Sequence, residues 1–290
     1  MKRFILLAIF ILICLGVGLQ YYSSQFKLSN ISQALPPNQA QTPLLMPSEV
    51  KSIFDRPLSY LGEGNQAFAF VSSDEKFVVK FFKNTPLKSN SWLEIFSSVP
   101  FIETYLKKHQ QRANRKFERV FNAYEIAYAH DRQHCGLKYI HLYQSGNLKI
   151  VAQATDTFGI QHSIDLDKHA FIIQKKGEPL KSLLTRELKE GKIGLVKLRL
   201  QQVIEMYLDG YQKGIFDHDH NLMVNVGFVD DCPMRIDVGK LVLDPSTTSK
   251  DVYLADLDKI IHQRIAKWFK RHSPEHTHEV LQTLEPFLVY

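Results

Sequence analysis

Cysteine is scarce in this 290-residue chain: Cys14, Cys135 and Cys232 are the only three, and no two form a CxxC pair. A scaffold held together by disulfides is therefore not expected. No internal repeat is present. An excess of one charge is nearly absent as well, since 36 Lys and Arg face 30 Asp and Glu for a net +6. That balance reads as a solvated surface, which permits contact with anionic lipid or acidic substrates without requiring it. The cations Lys107, Lys108, Arg112, Arg115 and Lys116 read as one solvated helix face, so nucleic acid is not expected as a partner. Apolar residues, by contrast, are plentiful. At 44% hydrophobic and 11% aromatic, the composition excludes global disorder. The length suits one medium domain of two lobes, or two small ones.

Long apolar runs are also missing, with one exception. Lys2 and Arg3 precede an uninterrupted apolar stretch over residues 4–19, closed by Gln20. A basic flank before such a run marks residues 1–20 as a signal-anchor or a signal peptide. Gly16 and Gly18 would suit a peptidase, but no A-x-A stands there, and the signal-anchor is preferred. The basic flank places the following domain on the non-cytoplasmic side of a membrane, either anchored or secreted. Residues 21–50 carry Pro36, Pro37, Pro43 and Pro47 among polar residues and read as a flexible linker.

The remaining chain alternates between periods. Strands are expected over 58–83, a helix over 101–130 and a hairpin joining LKYIHLY to LKIVAQA. A strand AFIIQ, a short helix over 179–188 and a long amphipathic helix over 195–213 should follow. A second hairpin, LMVNVGFV to PMRIDVG, then leads into a helical tail over 255–284. That order implies an α+β fold rather than the strict alternation of a parallel sheet.

Four pieces of this sequence carry chemistry, in a fixed order. Gly62 and Gly64 in LGEGNQAFAF lie between two strands, where a bare backbone can approach phosphate oxygens. Lys80 ends FVVK among apolar neighbours, and a lysine in a buried strand needs an anion to meet it. Asp217, Asp219 and Asn225 in GIFDHDHNLMVN follow an amphipathic helix. Phosphoryl transfer needs one carboxylate to orient or accept a proton and an oxygen ligand for a metal. Asp237 in RIDVG, at a strand end before Gly239, suits Mg²⁺.

Together these motifs, over residues 58–243, resemble the protein-kinase-like superfamily. The resemblance implies a two-lobed fold: an N-lobe of antiparallel sheet plus one helix over 51–175, and a reduced helical C-lobe over 176–290. LGEGNQAFAF is similar to the glycine-rich loop, GIFDHD to the opening of the catalytic loop, and IDVG to D-F-G. By the same resemblance Asp219 takes the catalytic-base position and Lys80 the phosphate anchor. Asn225 and Asp237 become metal ligands, with Asn221 an alternative to Asn225. Glu125, or else Glu118, would pair with Lys80. Gln174 and Lys175 fall at the nucleotide hinge in AFIIQKKGEPL. ATP and Mg²⁺ are the implied cofactors, and the acceptor is an unidentified protein or small molecule.

The chain departs from the pattern at several points. Ala67 replaces the third glycine, Asp217-His218 the His-Arg pair, and Val238 the phenylalanine of D-F-G. Asn225 comes one residue late. Only 51 residues follow Gly239, and no A-P-E is found among them. Two functions therefore stay open: an ATP-dependent phosphotransferase, or a pseudokinase acting as a tethered or secreted binding scaffold. Asp217–His220, or His272, His276, His278 and Glu279, could instead hold a metal, but neither set has regular ligand spacing.

Overall fold

The structure, a computed structural model, describes residues 26–31, 35, 44–84, 100–219 and 221–289. The apolar segment over 4–19 and most of the stretch over 21–50 expected to be a linker lie outside these residues, while Phe26, Ile31 and Leu35 of that stretch are buried. Among the described residues no helix is long and apolar enough to cross a membrane.

Alternating apolar residues build the first half. Strands β1 (Leu58–Glu63), β2 (Ala67–Val71) and β3 (Phe77–Phe82) form an antiparallel meander. A 31-residue helix, α1 (Pro100–His130), follows, and then β4 (Leu137–His141), β5 (Val151–Thr155), β6 (Gln161–Asp165) and β7 (Phe171–Lys175). The seven strands make one sheet in the order β4-β7-β3-β2-β1-β5-β6. Successive β3 side chains point to opposite faces. Phe77, Val79 and Phe81 enter a core with Phe68, Phe70, Phe171 and Ile173. Phe82, of the other parity, meets Phe121 and Tyr124 of α1, with ring centroids 5.3 and 5.1 Å away. Lys80 shares that second face.

The expected hairpin between LKYIHLY and LKIVAQA does not form. β4 pairs with β7 at one edge of the sheet, whereas β5 joins the opposite side, parallel to β1 and antiparallel to β6. Adjacency in sequence suggested the pairing, but β4 has its apolar partner in β7, where Tyr139 faces Ile173 and Ile140 faces Ile172.

Helices dominate the second half. A two-residue strand, β8 (Glu178–Pro179), leads into α2 (Leu180–Lys189) and the 20-residue α3 (Ile193–Gln212). Then come β9 (Ile215–Asp217), a helical turn at Leu222–Asn225, the hairpin of β10 (Val226–Val229) and β11 (Cys232–Arg235), and β12 (Leu241–Leu243). β12 pairs with β9, and β8 adds to β10. The tail is broken into α4 (Lys250–Asp258), a π-helical stretch (Lys259–Ile265), α5 (Ala266–His272) and α6 (Thr277–Leu284). One core unites these helices, with Leu200, Val203, Ile204, Leu257, Ile261 and Phe269 fully buried. The fold is thus mixed α+β. Cys135 and Cys232 are free thiols.

Candidate functional site

The sequence-derived site residues converge where the sheet meets the helical half. Lys80 Nζ donates to the Ile236 carbonyl at 2.5 Å, joining positions 156 apart in the chain. Burial draws the Lys80 ammonium below the usual lysine range, and the Asp237 carboxylate acts against that shift. Tyr124 of α1 is buried on the same spot. Burial first, and Asp237 second, push its hydroxyl well above the ordinary tyrosine value.

The loop between β9 and β10 supplies the other side. Asp217, buried at the end of β9, accepts the Asp219 N–H at 2.7 Å. Asp219 is half-buried; it accepts the Asn221 N–H at 3.2 Å and meets Lys240 Nζ at 2.8 Å. Burial works to raise the Asp219 pKa, but the Lys240 and Asn221 bonds and the neighbouring Asn225 amide outweigh it and hold the carboxyl below its usual range. Asn225 is 8% exposed, and its carbonyl accepts the Ile236 and Asp237 N–H groups at 2.6 and 3.3 Å. Asn225 is thereby fixed to the Asp237 segment, and its Nδ2 has no well-formed hydrogen bond of its own. The exposed Asn221 instead begins the helical turn by accepting the Val224 and Asn225 N–H groups. Asp237 Oδ1 accepts the Gly239 N–H at 3.0 Å, which turns the chain back on itself.

The glycine-punctuated turn reaches the same place. Gly64 N–H donates to the Ala67 carbonyl at 2.9 Å. An added Cβ would meet open space at both Gly62 and Gly64, so the chain's own packing requires neither glycine. Gly239 differs. A Cβ there would run into the end of the Gln66 side chain, because Gln66 drops from the turn onto the Asp237 segment. The Gln66 Oε1 is enclosed without a partner.

Four expected residues lie elsewhere. Glu125 sits against Tyr143, whose hydroxyl is pushed up to about 12 by burial and by that carboxylate. Glu118 is exposed on α1. The carboxylate that acts on Lys80 is Asp237, not a glutamate of α1. The Gln174 side chain is fully buried, and its Nε2 donates to the Cys135 and Arg235 carbonyls at 2.6 and 2.9 Å. Its amide therefore ties β7 to β11 and has no donor to offer a ligand. Lys175 lies on the surface, 3.7 Å from Asp230.

Lys240 and Gln66 were not foreseen. Lys240 stands three residues after Asp237, and that proximity was the one available sign. Nothing local marks Gln66. Among the alternative metal sets, His276 is paired with Glu279 at 2.5 Å, and His272 Nδ1 lies 2.8 Å from the Trp268 carbonyl.

No protein-family model matches the chain, and no curated protein matches it. Solved structures similar to it include the bifunctional kinase-methyltransferase WbdD, at 13% identity and a TM-score of 0.36 over 76% of this chain and 42% of that one. Rv3197 from Mycobacterium tuberculosis, solved with erythromycin, is similar at 14% identity and a TM-score of 0.36, over 70% of this chain and 50% of that one. The chain spans half or less of the length of these two proteins. Likeness at that level carries no functional argument, so the geometry has to carry it.

The donor set suits a hard cation. Asp219, Asp237 and the Asn225 amide offer oxygen, with no thiolate among them. Lys80 and Lys240 flank these oxygens with positive charge, as a polyanion would need.

Proposed function

We propose that the chain binds Mg-ATP where the sheet meets the helical half and transfers a phosphoryl group to an alcohol. The observation that carries this reading is the contact of Lys80 with the Ile236–Asp237 segment, with Asp219 and Asn225 placed against that same segment. A half-buried lysine, two carboxylates and an amide drawn from three distant stretches serve packing poorly, whereas they suit a phosphate and its cation.

In this reading Asp237 and Asn225 would hold Mg²⁺, which when bound neutralises phosphate charge. Lys80 exchanges the Ile236 carbonyl for phosphate oxygens. Gly62 and Gly64 leave their backbone open to the same oxygens. Asp219 is ionised near neutral pH and takes or orients the proton of the acceptor hydroxyl. Lys240 keeps that carboxylate oriented. The apolar segment over 4–19 would tether the domain on the membrane face away from Lys2 and Arg3.

The test is thermal unfolding of the full chain with Mg-ATP. Ligand at a hundredfold excess over its dissociation constant should stabilise the fold by about 2.7 kcal/mol. The rise should require metal and should vanish in Lys80→Ala and Asp237→Asn. Absence of any shift at millimolar nucleotide would sink the reading. A second reading, a nucleotide-binding pseudokinase, draws on the Asp219–Lys240 ion pair, which already engages the proposed base. It predicts the same shift with no phosphoryl transfer and no ATP hydrolysis.

A further inference from the structure

An open pocket of about 310 Å³ lies beside the Asp219 loop. Its walls include Lys181 at the start of α2, Asn221, Arg264 of the π-helical stretch, and Lys267, Trp268 and Arg271 of α5. Among the described residues no carboxylate lines it. Among the described residues none of these four cations is held in an ion pair. Four like charges converging without a counter-charge set up a positive potential that an anion relieves.

Trp268 forms part of the same wall. Trp268 is 8% exposed, and its Nε1–H is enclosed without an acceptor. The indole is fixed by stacking on His272, with centroids 4.6 Å apart and planes 12° apart. A buried indole N–H ordinarily finds a partner; this one is enclosed, and the place of Trp268 in the pocket wall makes the indole a reporter of what enters. Asn221 connects the two sites: it lines the pocket while its N–H donates to Asp219 Oδ1.

We propose that this pocket binds a phosphate or similar oxyanion group, and that the acceptor is therefore an anionic alcohol rather than a neutral one. The anion site stands on the pocket alone; its role as acceptor anchor rests on the phosphotransferase reading. Either a soluble phosphorylated compound or an anionic lipid headgroup offers this chemistry.

The chain has two tryptophans, so Trp92→Phe leaves Trp268 as the sole indole reporter. Inorganic phosphate should change its fluorescence saturably at constant ionic strength. Arg264→Gln, Lys267→Gln and Arg271→Gln combined should weaken that response at least tenfold. All three side chains are exposed, and a parental urea midpoint in the triple variant confirms its fold. Phosphatidylcholine vesicles with and without phosphatidate form a parallel arm. A response to phosphatidate vesicles that the triple variant loses, exceeding the response to free phosphate, supports the lipid source; the reverse order supports the soluble one. The proposal is overturned if phosphate and phosphatidate both leave Trp268 unchanged. It is equally overturned if the triple variant responds like its parent, or if Asp237→Asn abolishes the response and so places the phosphate at the nucleotide site. Loss of the Mg-ATP result alone, with the pocket response intact, removes the kinase reading and leaves the anion site.

Discussion

Lys80 and Asp219 carry opposite electrostatic histories. The folded protein lowers the Lys80 pKa, chiefly through burial, so the unfolded chain holds that proton more tightly. Stability due to this group therefore rises with pH, from the lowered folded value up to about 10.5. Lys80→Met should be at least as stable as the parent near pH 7, with the difference narrowing as pH climbs, while the Mg-ATP shift is lost. Urea unfolding at about pH 7 and about pH 9.5 reads this. A variant weaker by more than about 2 kcal/mol at neutral pH would instead make the Ile236 hydrogen bond a structural support. For Asp219, burial is outweighed by Lys240, Asn221 and Asn225, and the carboxyl stays below its ordinary value. Its contribution is present above that ordinary value and is lost as pH falls through the lowered one. On the phosphotransferase reading the acid limb of kcat/KM should therefore fall below about pH 4. Lys240→Gln should move that limb upward, and Asp219→Asn should slow turnover about 10²–10⁴-fold.

Two glycines separate what an element needs for packing from what it keeps open. In β10 a Cβ at Gly227 would lie 2.5 Å from Ile236 Cδ1 and 2.6 Å from the Glu178 carbonyl, which is backbone and cannot swing away. Gly227→Ala should destabilise by about 1–3 kcal/mol and shift the hairpin that presents Asn225 and Asp237. Gly64→Ala meets open space; it should change stability by less than about 0.5 kcal/mol yet weaken Mg-ATP binding. Chemical denaturation and nucleotide titration of the two variants distinguish these roles. The same elements show what a sequence discloses. The spacing of Phe117, Val120, Phe121 and Tyr124 marks α1 because a helix repeats its face locally. The order of Lys80, Asp219, Asn225 and Asp237 was legible because Lys80 is a charge inside an apolar strand, while the other three sit at or beside element ends with turn chemistry around them. The β1–β5 pairing was not, because it joins strands far apart in sequence. β6 was not either, since QHSID offers little apolar alternation. Gln66 lies against Gly239 only once the two halves have closed, and Lys240 meets Asp219 only once β12 has paired with β9; no local pattern records either.

At the scale of the whole molecule, one buried cation ties the halves together. Arg235 of β11 is 2% exposed and donates to Asp131, just beyond α1, at 2.9 Å. Its guanidinium lies 4.6 Å from the centre of the Tyr207 ring of α3, and its carbonyl accepts from Gln174 of β7. Asp217 adds a further stabilising charge. The pair joins the helix-bearing side of the sheet to the hairpin and to α3, one residue ahead of the Ile236 carbonyl that holds Lys80. Removing one partner strands the other charge in a dry site, and Arg235→Met should destabilise by about 3–5 kcal/mol. Adding Asp131→Leu removes that stranded charge and should recover most of the loss, because a buried ion pair replaced by apolar groups of similar volume is often near neutral. If the double variant regains parental stability to urea but not the Mg-ATP shift, the pair serves to align the halves rather than to hold them together. If it regains neither, Arg235 is needed for the fold itself through Tyr207 and Gln174, and the site's geometry depends on that same support.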